Sequence, residues 1–452
     1  MSDTPLYSAL TRFAAKENLS RFHMPGHKGR PAGSAFDGVF PIDMTELPHT
    51  GNLYEGDGPI AEAEALVARW YGMDGCFFLT CGATQGLKAA LRFFCPAPGS
   101  AVVLDRNCHK SVLDGCALLD LRPTYVFPAF LPEEGVTGDI SPDALRSALR
   151  QSGARAAVLT SPTYYGHCLS VSALADAAHD CGAQLIVDAA HGSHLRACGL
   201  PDPALQGADA VVFSAHKTLC ALGQGAFLVF RGLDKLGRSR LRAATALFGT
   251  TSPSYPVMAS LDWARARMET AVDRWRALAQ RALLLRRDIG MHTPFAVFTS
   301  GDPCRLTINT GAAGLSGIQA AETLFALGVD PEMWDESHVV FILTERDEEA
   351  DLQRLYRSLL SLAQRCGTST SPSLSPEPPR LLSAMTPHQA LFAPKALCLL
   401  KNCAGQIAGE NLAPYPPGVA AAVQGEVLTN IFIEYLMKKG YNGDIYIHII
   451  PQ

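Results

Sequence analysis

Two chemically active side chains stand at the ends of neighbouring apolar runs in the middle of the sequence. Lys217 follows Ala210–Phe213 closely, and Asp188 ends the run Gln184–Asp188. A lysine removed from water has a lowered pKa and becomes a usable amine nucleophile. A carboxylate at the end of a buried strand needs a cationic partner, and a pyridinium nitrogen would serve. Each residue also has a common alternative: Lys217 can point to water, and Asp188 can cap a helix or lie at the surface.

A loop of small residues after another apolar run could bind an anion. The loop Cys81–Gln85, which we call the phosphate cup, leads into a predicted helix, and Gly82 and Ala83 let the backbone approach a ligand closely. Free N–H groups at a helix N-terminus attract phosphate, and Thr84 adds a hydroxyl. The alternative is that Thr84 only caps the helix.

Three further polar residues follow predicted strands. Ser214 and His216 flank Lys217 and could hold a phosphate beside it. His109, after the strand Ala101–Asp105, could stack on a planar ring or cap the next helix. Ligands bind at the carboxyl ends of parallel strands, so these residues are expected to converge.

The combination is more specific than any of its parts. An imine-forming lysine, an acid for a ring nitrogen and an anchor for a phosphate are what pyridoxal 5'-phosphate requires. The sequence therefore predicts a pyridoxal-phosphate enzyme. We expect no metal site, since the chain contains no CxxC pair.

Composition excludes several other classes of protein. The 452 residues are 48% hydrophobic and 18% charged with a net charge of −5, which predicts a globular chain and no nucleic-acid partner. We find no signal peptide and no apolar stretch long enough to cross a membrane. Thirteen scattered cysteines favour a reducing, cytoplasmic location.

Apolar runs alternate with amphipathic stretches, which predicts an α/β fold with a mainly parallel sheet. A smaller α+β C-terminal domain is expected to follow. The predicted domains are an N-terminal arm with a large cofactor domain over 1–290, a small α+β domain over 291–366, a Ser/Pro-rich linker over 367–380 and a C-terminal region over 381–452. Predicted strands are Cys76–Thr80, Ala101–Asp105, Ala156–Thr160, Gln184–Asp188, Ala210–Phe213, Gly225–Phe230, Arg305–Asn309 and Val339–Leu343. Among the predicted helices is a long tract over Pro256–Arg287.

From about Tyr7 to Tyr435 the sequence resembles the ornithine/lysine/arginine decarboxylases, which have the aspartate-aminotransferase-like fold, fold type I. It looks like the short form, lacking an N-terminal receiver-like domain. The stretches that carry the resemblance are Phe22–Gly29, Asp43–Leu47, Asn107–Ser111, Ser214–Thr218, Pro414–Val419 and Gly425-Glu426.

The resemblance implies a role for each candidate residue. Lys217 would hold the cofactor as a Schiff base, Asp188 would face the pyridine nitrogen, and His109 would stack on the ring. His191 would lie near the phenolic oxygen. The expected phosphate ligands are in the cup and beside the lysine: Gly82, Ala83, Thr84, Ser214 and His216.

The chain departs from the family pattern in two loops. The cup reads Cys81-Gly82-Ala83-Thr84-Gln85, whereas the family loop usually begins with Asn-Gly and carries more hydroxyls. An acidic run before the next helix is replaced by Gly51–Asp57. The second departure bears on the choice of substrate.

The expected reaction is decarboxylation of arginine, lysine or ornithine to a polyamine precursor by a cytoplasmic homodimer or larger homo-oligomer. The alternatives are an aminotransferase, a β-eliminating lyase or a non-catalytic regulatory paralogue, because fold does not fix function. A cationic substrate needs a carboxylate partner. The candidates are Glu426, Glu410 and Asp57.

Overall fold

The computed structural model describes residues 3–299, 301–366, 377–413, 418–439 and 441–451. The chain forms two compact units, Met1–Phe94 with Leu185–Asp273 and Cys95–Gln184 with Arg274–Gln452. The strands are β1 Gly75–Leu79, β2 Ala101–Asp105, β3 Arg122–Val126, β4 Phe130–Leu131, β5 Val136–Thr137, β6 Ala156–Thr160, β7 Gln184–Asp188, β8 Ala210–Phe213, β9 Ala226–Phe230, β10 Ala296–Val297, β11 Arg305–Asn309, β12 Met333–Trp334, β13 His338–Ile342, β14 Ala396–Leu399, β15 Ile407–Ala408 and β16 Tyr446–Ile450.

Fifteen α-helices are described, most of them between strands along the chain. They are α1 Pro5–Ala14, α2 Gly58–Tyr71, α3 Gly82–Phe94, α4 Lys110–Leu118, α5 Pro142–Ser152, α6 Val171–His179, α7 Leu195–Cys198, α8 Ala215–Thr218, α9 Lys235–Leu247, α10 Tyr255–Thr270, α11 Val272–His292, α12 Gly317–Ala326, α13 Glu349–Ala363, α14 Pro387–Phe392 and α15 Asn430–Lys438. No described helix is both long and apolar enough to cross a membrane.

In the first unit the strands lie in the order β1-β9-β8-β7. Strands β7 and β8 are parallel, whereas β9 is antiparallel to both β8 and β1. The connection from β8 to β9 contains only the single helical turn α8, which is too short for a crossover helix and permits an antiparallel return. The sequence predicts a mainly parallel sheet, and β9 is the strand in this unit that runs antiparallel to its neighbours.

The first-unit strands are apolar because both of their faces are covered. All residues of β1, β8 and β9 are buried, as expected for a central sheet. Helix α3 lies close to this sheet at Gly86, where a Cβ would come within 2.6 Å of Leu79 Cδ1 and 3.0 Å of Val212 Cγ1. A glycine at this position therefore sets the distance between the helix that starts at the cup and the strands beneath it.

The N-terminal helix is attached to the first unit through a buried carboxylate. Asp262 of α10 is fully buried and accepts hydrogen bonds from the N–H groups of Leu6 at 2.9 Å and Tyr7 at 3.1 Å. A negative charge at a helix N-terminus is stabilising. Arg265 neutralises the same carboxylate at 3.0 Å.

The described residues of the second unit contain parallel strands in the order β6-β2-β3 and three antiparallel sheets, β4-β5, β10-β11-β13-β12 and β14-β16-β15. Its C-terminal part has a core of its own, in which Phe432 and Leu436 of α15 pack with Leu428 and Ile447. Phe432 and Leu436 are four residues apart in α15 and so lie on one buried face of that helix.

Several predicted strands coincide with observed ones, including β2, β6, β7, β8 and β11. The tract Pro256–Arg287 consists of two helices, α10 and α11, which are separated at Ala271. Most of the predicted linker, 367–376, and the residues 414–417 of the Pro-rich turn lie outside the described residues. The predicted domain boundaries stay a prediction.

Candidate active site

Lys217 lies in the single turn α8 directly after strand β8. Its backbone N–H donates to Ser214 O at 3.1 Å, and its Nζ is 2.9 Å from Nε2 of His191. The turn is short because the chain must reverse at once into β9. The lysine is therefore held on the edge of the sheet, with an imidazole against its amine.

Asp188 is the last residue of the neighbouring strand β7 and is 3% exposed. Its Oδ1 accepts a hydrogen bond from Ala190 N–H at 3.1 Å. Burial raises the pKa of Asp188, and the Ala190 N–H and the charge of Lys217 act in the opposite direction. Since β7 and β8 run parallel, Asp188 and Lys217 lie at the same carboxyl edge of the first-unit sheet, as predicted.

The cup begins at Gly82, whose φ of +75° is a left-handed conformation that favours glycine. A Cβ on Gly82 would meet nothing within 4 Å, so the space in front of the loop is open. Ala83 and Thr84 follow in the first turn of α3, and Thr84 is exposed. The first N–H groups of a helix have no partner within the helix and can bind an anion.

His216 precedes Lys217 in the same turn, α8. Burial lowers the pKa of His216, as does the charge of Lys217, while a hydrogen bond to Gly225 O acts in the opposite direction. The Nδ1 atom is 3.2 Å from Gly225 O and 3.3 Å from Ser214 Oγ. Because the Gly225 carbonyl can only accept a hydrogen bond, a neutral His216 ring carries its proton on Nδ1. The Nε2 atom would then donate to a phosphate only after the ring takes up a second proton.

A short connection ties the cup to the lysine turn. Gly82 N–H donates to Gln224 O at 2.9 Å, and His216 N–H donates to Gly225 O at 3.3 Å. Gln224 has a φ of +72°, an uncommon value for a residue other than glycine. The turn Leu222–Gly225 thus links two loops that are far apart in sequence.

His109 lies in the second unit as the N-cap of α4. Its Nδ1 accepts a hydrogen bond from Ser111 N–H at 3.2 Å and is 2.8 Å from Ser111 Oγ. The capping geometry considered as an alternative is therefore present. Capping involves only one edge of the ring, so the stacking role of His109 stays a prediction.

Each carboxylate predicted to bind substrate already has a partner. Glu426, 3% exposed, accepts Val423 N–H at 2.8 Å and pairs with Arg106 at 3.3 Å. Glu410 pairs with His448 at 3.1 Å. Asp57 accepts Asn52 N–H at 2.7 Å. A cationic substrate would have to share or replace these partners.

Sequence reasoning missed the partner of Glu426. Arg106 follows Asp105 at the end of β2 and also donates to the carbonyls of Ala420 and Ala421, the latter at 3.0 Å. Its position directly after the carboxyl end of a strand was an available signal. Its partner, however, lies more than three hundred residues away along the chain.

The first-unit residues fit pyridoxal phosphate by their chemistry. An amine, a buried carboxylate and an open loop at a helix N-terminus are positioned by a single sheet and its connections. Lys217 would hold the aldehyde carbon, Asp188 the ring nitrogen, and the loop Gly82–Thr84 the phosphate. This fold with this set of residues defines a pyridoxal-phosphate enzyme of fold type I.

The chain belongs to the Orn/Lys/Arg decarboxylase family, because residues 4–300 match the model of that family's major domain. It is 32% identical to the uncharacterized protein YaaO of Bacillus subtilis (strain 168), over 96% of this chain and 94% of that protein. It is 29% identical to the arginine decarboxylase of the same organism, over 96% and 93% of the two chains.

A solved structure shows the same fold. The lysine decarboxylase LdcF of Francisella novicida superposes with a TM-score of 0.84 at 20% identity, covering 99% of this chain and 81% of that chain. The protein is thus a pyridoxal-phosphate-dependent amino-acid decarboxylase. The predictions of family, fold class, enzyme class and cofactor are confirmed.

Proposed function

We propose that this enzyme decarboxylates a basic amino acid and that arginine is its first candidate substrate, giving agmatine. The observation that carries the proposal is the alignment with the arginine decarboxylase of Bacillus subtilis over 93% of that protein's length. Lysine and ornithine remain candidates, because the family includes enzymes for all three amino acids.

Lys217 and His191 would handle the proton on the attacking amine. When bound, the cofactor supplies an electron sink for the pair released as the bond from Cα to the carboxylate breaks. A neutral His191 with its proton on Nδ1 accepts a hydrogen bond from Lys217 Nζ across 2.9 Å. His191 can therefore hold the proton that the lysine must lose before it acts as a nucleophile. The same pair can return a proton to Cα.

Asp188 would keep the ring nitrogen protonated. A carboxylate with 3% exposure is poorly hydrated, so a cationic ring nitrogen is a favourable partner for it. Burial raises the pKa of Asp188, so a cation beside it would favour its ionised form.

A screen of amino acids for CO2 release, with identification of the product, tests the reaction. Purified protein with cofactor is expected to release CO2 from arginine and to form agmatine. Lys217→Ala is the matched control and is expected to release none. Formation of keto acids would instead support an aminotransferase, and inactivity towards arginine, lysine and ornithine would remove the proposal.

We also propose a cytoplasmic homodimer that acts in polyamine formation. The N-terminal arm supports the dimer, because Phe22, Met24 and Phe36 are 92%, 63% and 66% exposed. The arm is braced internally by hydrogen bonds such as His27 Nε2 to Asp43 Oδ2 at 3.2 Å. An ordered, exposed apolar surface is typical of a protein interface.

Light scattering on wild type and on Phe22→Asp tests this assembly. The variant is expected to dissociate, whereas Leu236→Asp, at a residue that is also exposed, 66%, but lies outside the arm, is expected to leave the assembly unchanged. A wild-type monomer that is fully active at micromolar concentration would contradict the proposal.

A further inference from the structure

Gln85 occupies a position that links the cup to a distant helix. It lies in the first turn of α3 and is 1% exposed. Its side-chain Oε1 accepts a hydrogen bond from Cys81 N–H at 3.1 Å, and its Nε2 donates to Thr245 O at 2.8 Å. The amide therefore spans the first residue of the cup and the last turn of α9.

Both of these backbone groups lie at helix ends. Cys81 N–H directly precedes the first turn of α3. Thr245 O is among the last carbonyls of α9, and such carbonyls have no N–H donor within their own helix. A buried backbone group without a partner is costly. A glutamine satisfies one donor and one acceptor at once, which neither a carboxylate nor an apolar side chain can do.

The surroundings hold this amide in a single position. Tyr54 Oη donates to Thr250 O at 2.9 Å just beyond α9. A Cβ on Gly249 would lie 2.2 Å from Tyr54 Oη and 2.5 Å from Gln85 Nε2. A glycine at 249 is thus required for the phenol, the amide and the end of α9 to meet.

We infer that Gln85 is a positioning residue for the cofactor phosphate. It acts through Cys81 by fixing the direction of the loop whose Ala83 and Thr84 N–H groups receive the anion, while the Gly82 N–H is bonded to Gln224 O. The inference rests on the proposed assignment of Cys81–Gln85 as the phosphate cup. It explains why a loop with one hydroxyl fewer at Ala83 carries a glutamine two residues later: a rigid backbone supports the anion site where a side-chain ligand is missing.

Cofactor binding to the apoenzyme tests the inference without reference to turnover. Pyridoxal 5'-phosphate and pyridoxal, which lacks the phosphate, are titrated against wild type, Gln85→Met and Gln85→Glu by absorbance. Each variant is expected to weaken pyridoxal-phosphate binding about tenfold, as for the loss of one or two buried hydrogen bonds. Pyridoxal binding is expected to stay within twofold of wild type, and inorganic phosphate should compete less well in the variants.

Two further variants separate the possible outcomes. Gly249→Ala displaces the same amide from the other side and is expected to reproduce the phosphate-specific loss. Equal weakening of both ligands would overturn the inference, because Gln85 would then serve the fold alone. Thr84→Val reports on the cup itself. If Thr84→Val weakens the binding of pyridoxal phosphate and the Gln85 variants do not, the assignment of the cup is supported and the inference about Gln85 fails. If no variant affects phosphate binding, the cup assignment fails as well.

Discussion

Each unit contains a buried glutamate that is paired with an arginine, and the two pairs differ in tightness. In the first unit Glu64 lies 2.8 Å from Arg242, with side-chain exposures of 4% and 17%. In the second unit Glu426 lies 3.3 Å from Arg106, with exposures of 3% and 13%. Burial raises the pKa of both glutamates, and the arginine partner acts in the opposite direction in each case.

The two carboxylates also share a second kind of partner. Glu64 accepts the N–H of Phe78 in β1 at 2.9 Å, and Glu426 accepts the N–H of Val423 in its own turn at 2.8 Å. The first contact joins α2 to β1, the strand at one end of its sheet, whereas the second closes a local turn. The N–H partner of Glu64 therefore lies in another element, whereas that of Glu426 lies in the same turn, and only the arginine partner links Glu426 to a distant part of the chain.

The arginines show the same contrast. Arg242 lies 4.1 Å above the ring of Phe77 and donates to Leu53 O at 2.6 Å. Arg106 lies 5.5 Å from the ring of Tyr125. A close cation–π contact and a short ion pair leave Arg242 little freedom to exchange partners. Of the two pairs, the longer one, between Glu426 and Arg106, is the one in which the carboxylate could exchange its arginine for a cationic ligand.

The largest expected effect comes from breaking the tight pair. Arg242→Met leaves Glu64 buried without its cation and is expected to lower the free energy of unfolding by about 3–5 kcal/mol, measured by urea denaturation at pH 7. The loss should shrink towards pH 4, because a raised pKa lets Glu64 bind a proton in the folded state. The double variant with Glu64→Gln should recover most of the stability. A loss below about 1 kcal/mol would remove the structural role of the pair.

Asp188 is a third buried acid, and its proposed cation belongs to the cofactor rather than to an arginine. Asp188→Asn is expected to keep some bound cofactor but to lower kcat about 100-fold or more, as for other losses of fixed electrostatic stabilisation. Steady-state CO2 release with matched cofactor occupancy measures this effect. Turnover close to wild type would remove Asp188 from its proposed role.

The looser pair should affect substrate recognition more than stability. Glu426→Gln is expected to reduce kcat/KM for a basic substrate by about 2 kcal/mol, mainly through KM, with unchanged cofactor absorbance. Glu410→Gln is the control, since Glu410 lies in a half-exposed pair with His448. If Glu426→Gln processes arginine and lysine as wild type does, Glu426 is not the recognition acid and the two pairs are alike in function.

The smallest effect is the pH dependence of apoenzyme stability. A raised pKa means that Asp188 contributes fully to stability only below its unfolded pKa, about 3.9, and that this contribution is lost as pH rises through the folded value. Apo Asp188→Asn is therefore expected to melt at the same temperature as wild type near pH 3.5 and slightly higher at pH 7. A lower melting temperature at pH 7 would show that another cation already neutralises Asp188.

The sequence alone was sufficient to predict the elements that carry the first-unit residues. Apolar runs that end in Asp188, or are followed by Ser214 and Lys217, are local patterns, and burial on both faces of a sheet makes them continuous. The glycine that begins the cup was also predictable, because a left-handed turn before a helix favours that residue.

Only the tertiary structure decided which of these groups already have partners. Gln85 meets Thr245, and Glu426 meets Arg106, across 160 and 320 residues of chain. No periodicity encodes such pairs, because side-chain patterns report burial within one element and not which distant group lies opposite. The antiparallel return of β9 depends in the same way on the strand beside it. Local polarity thus determined where the chemistry resides, while long-range packing decided which acids are already neutralised.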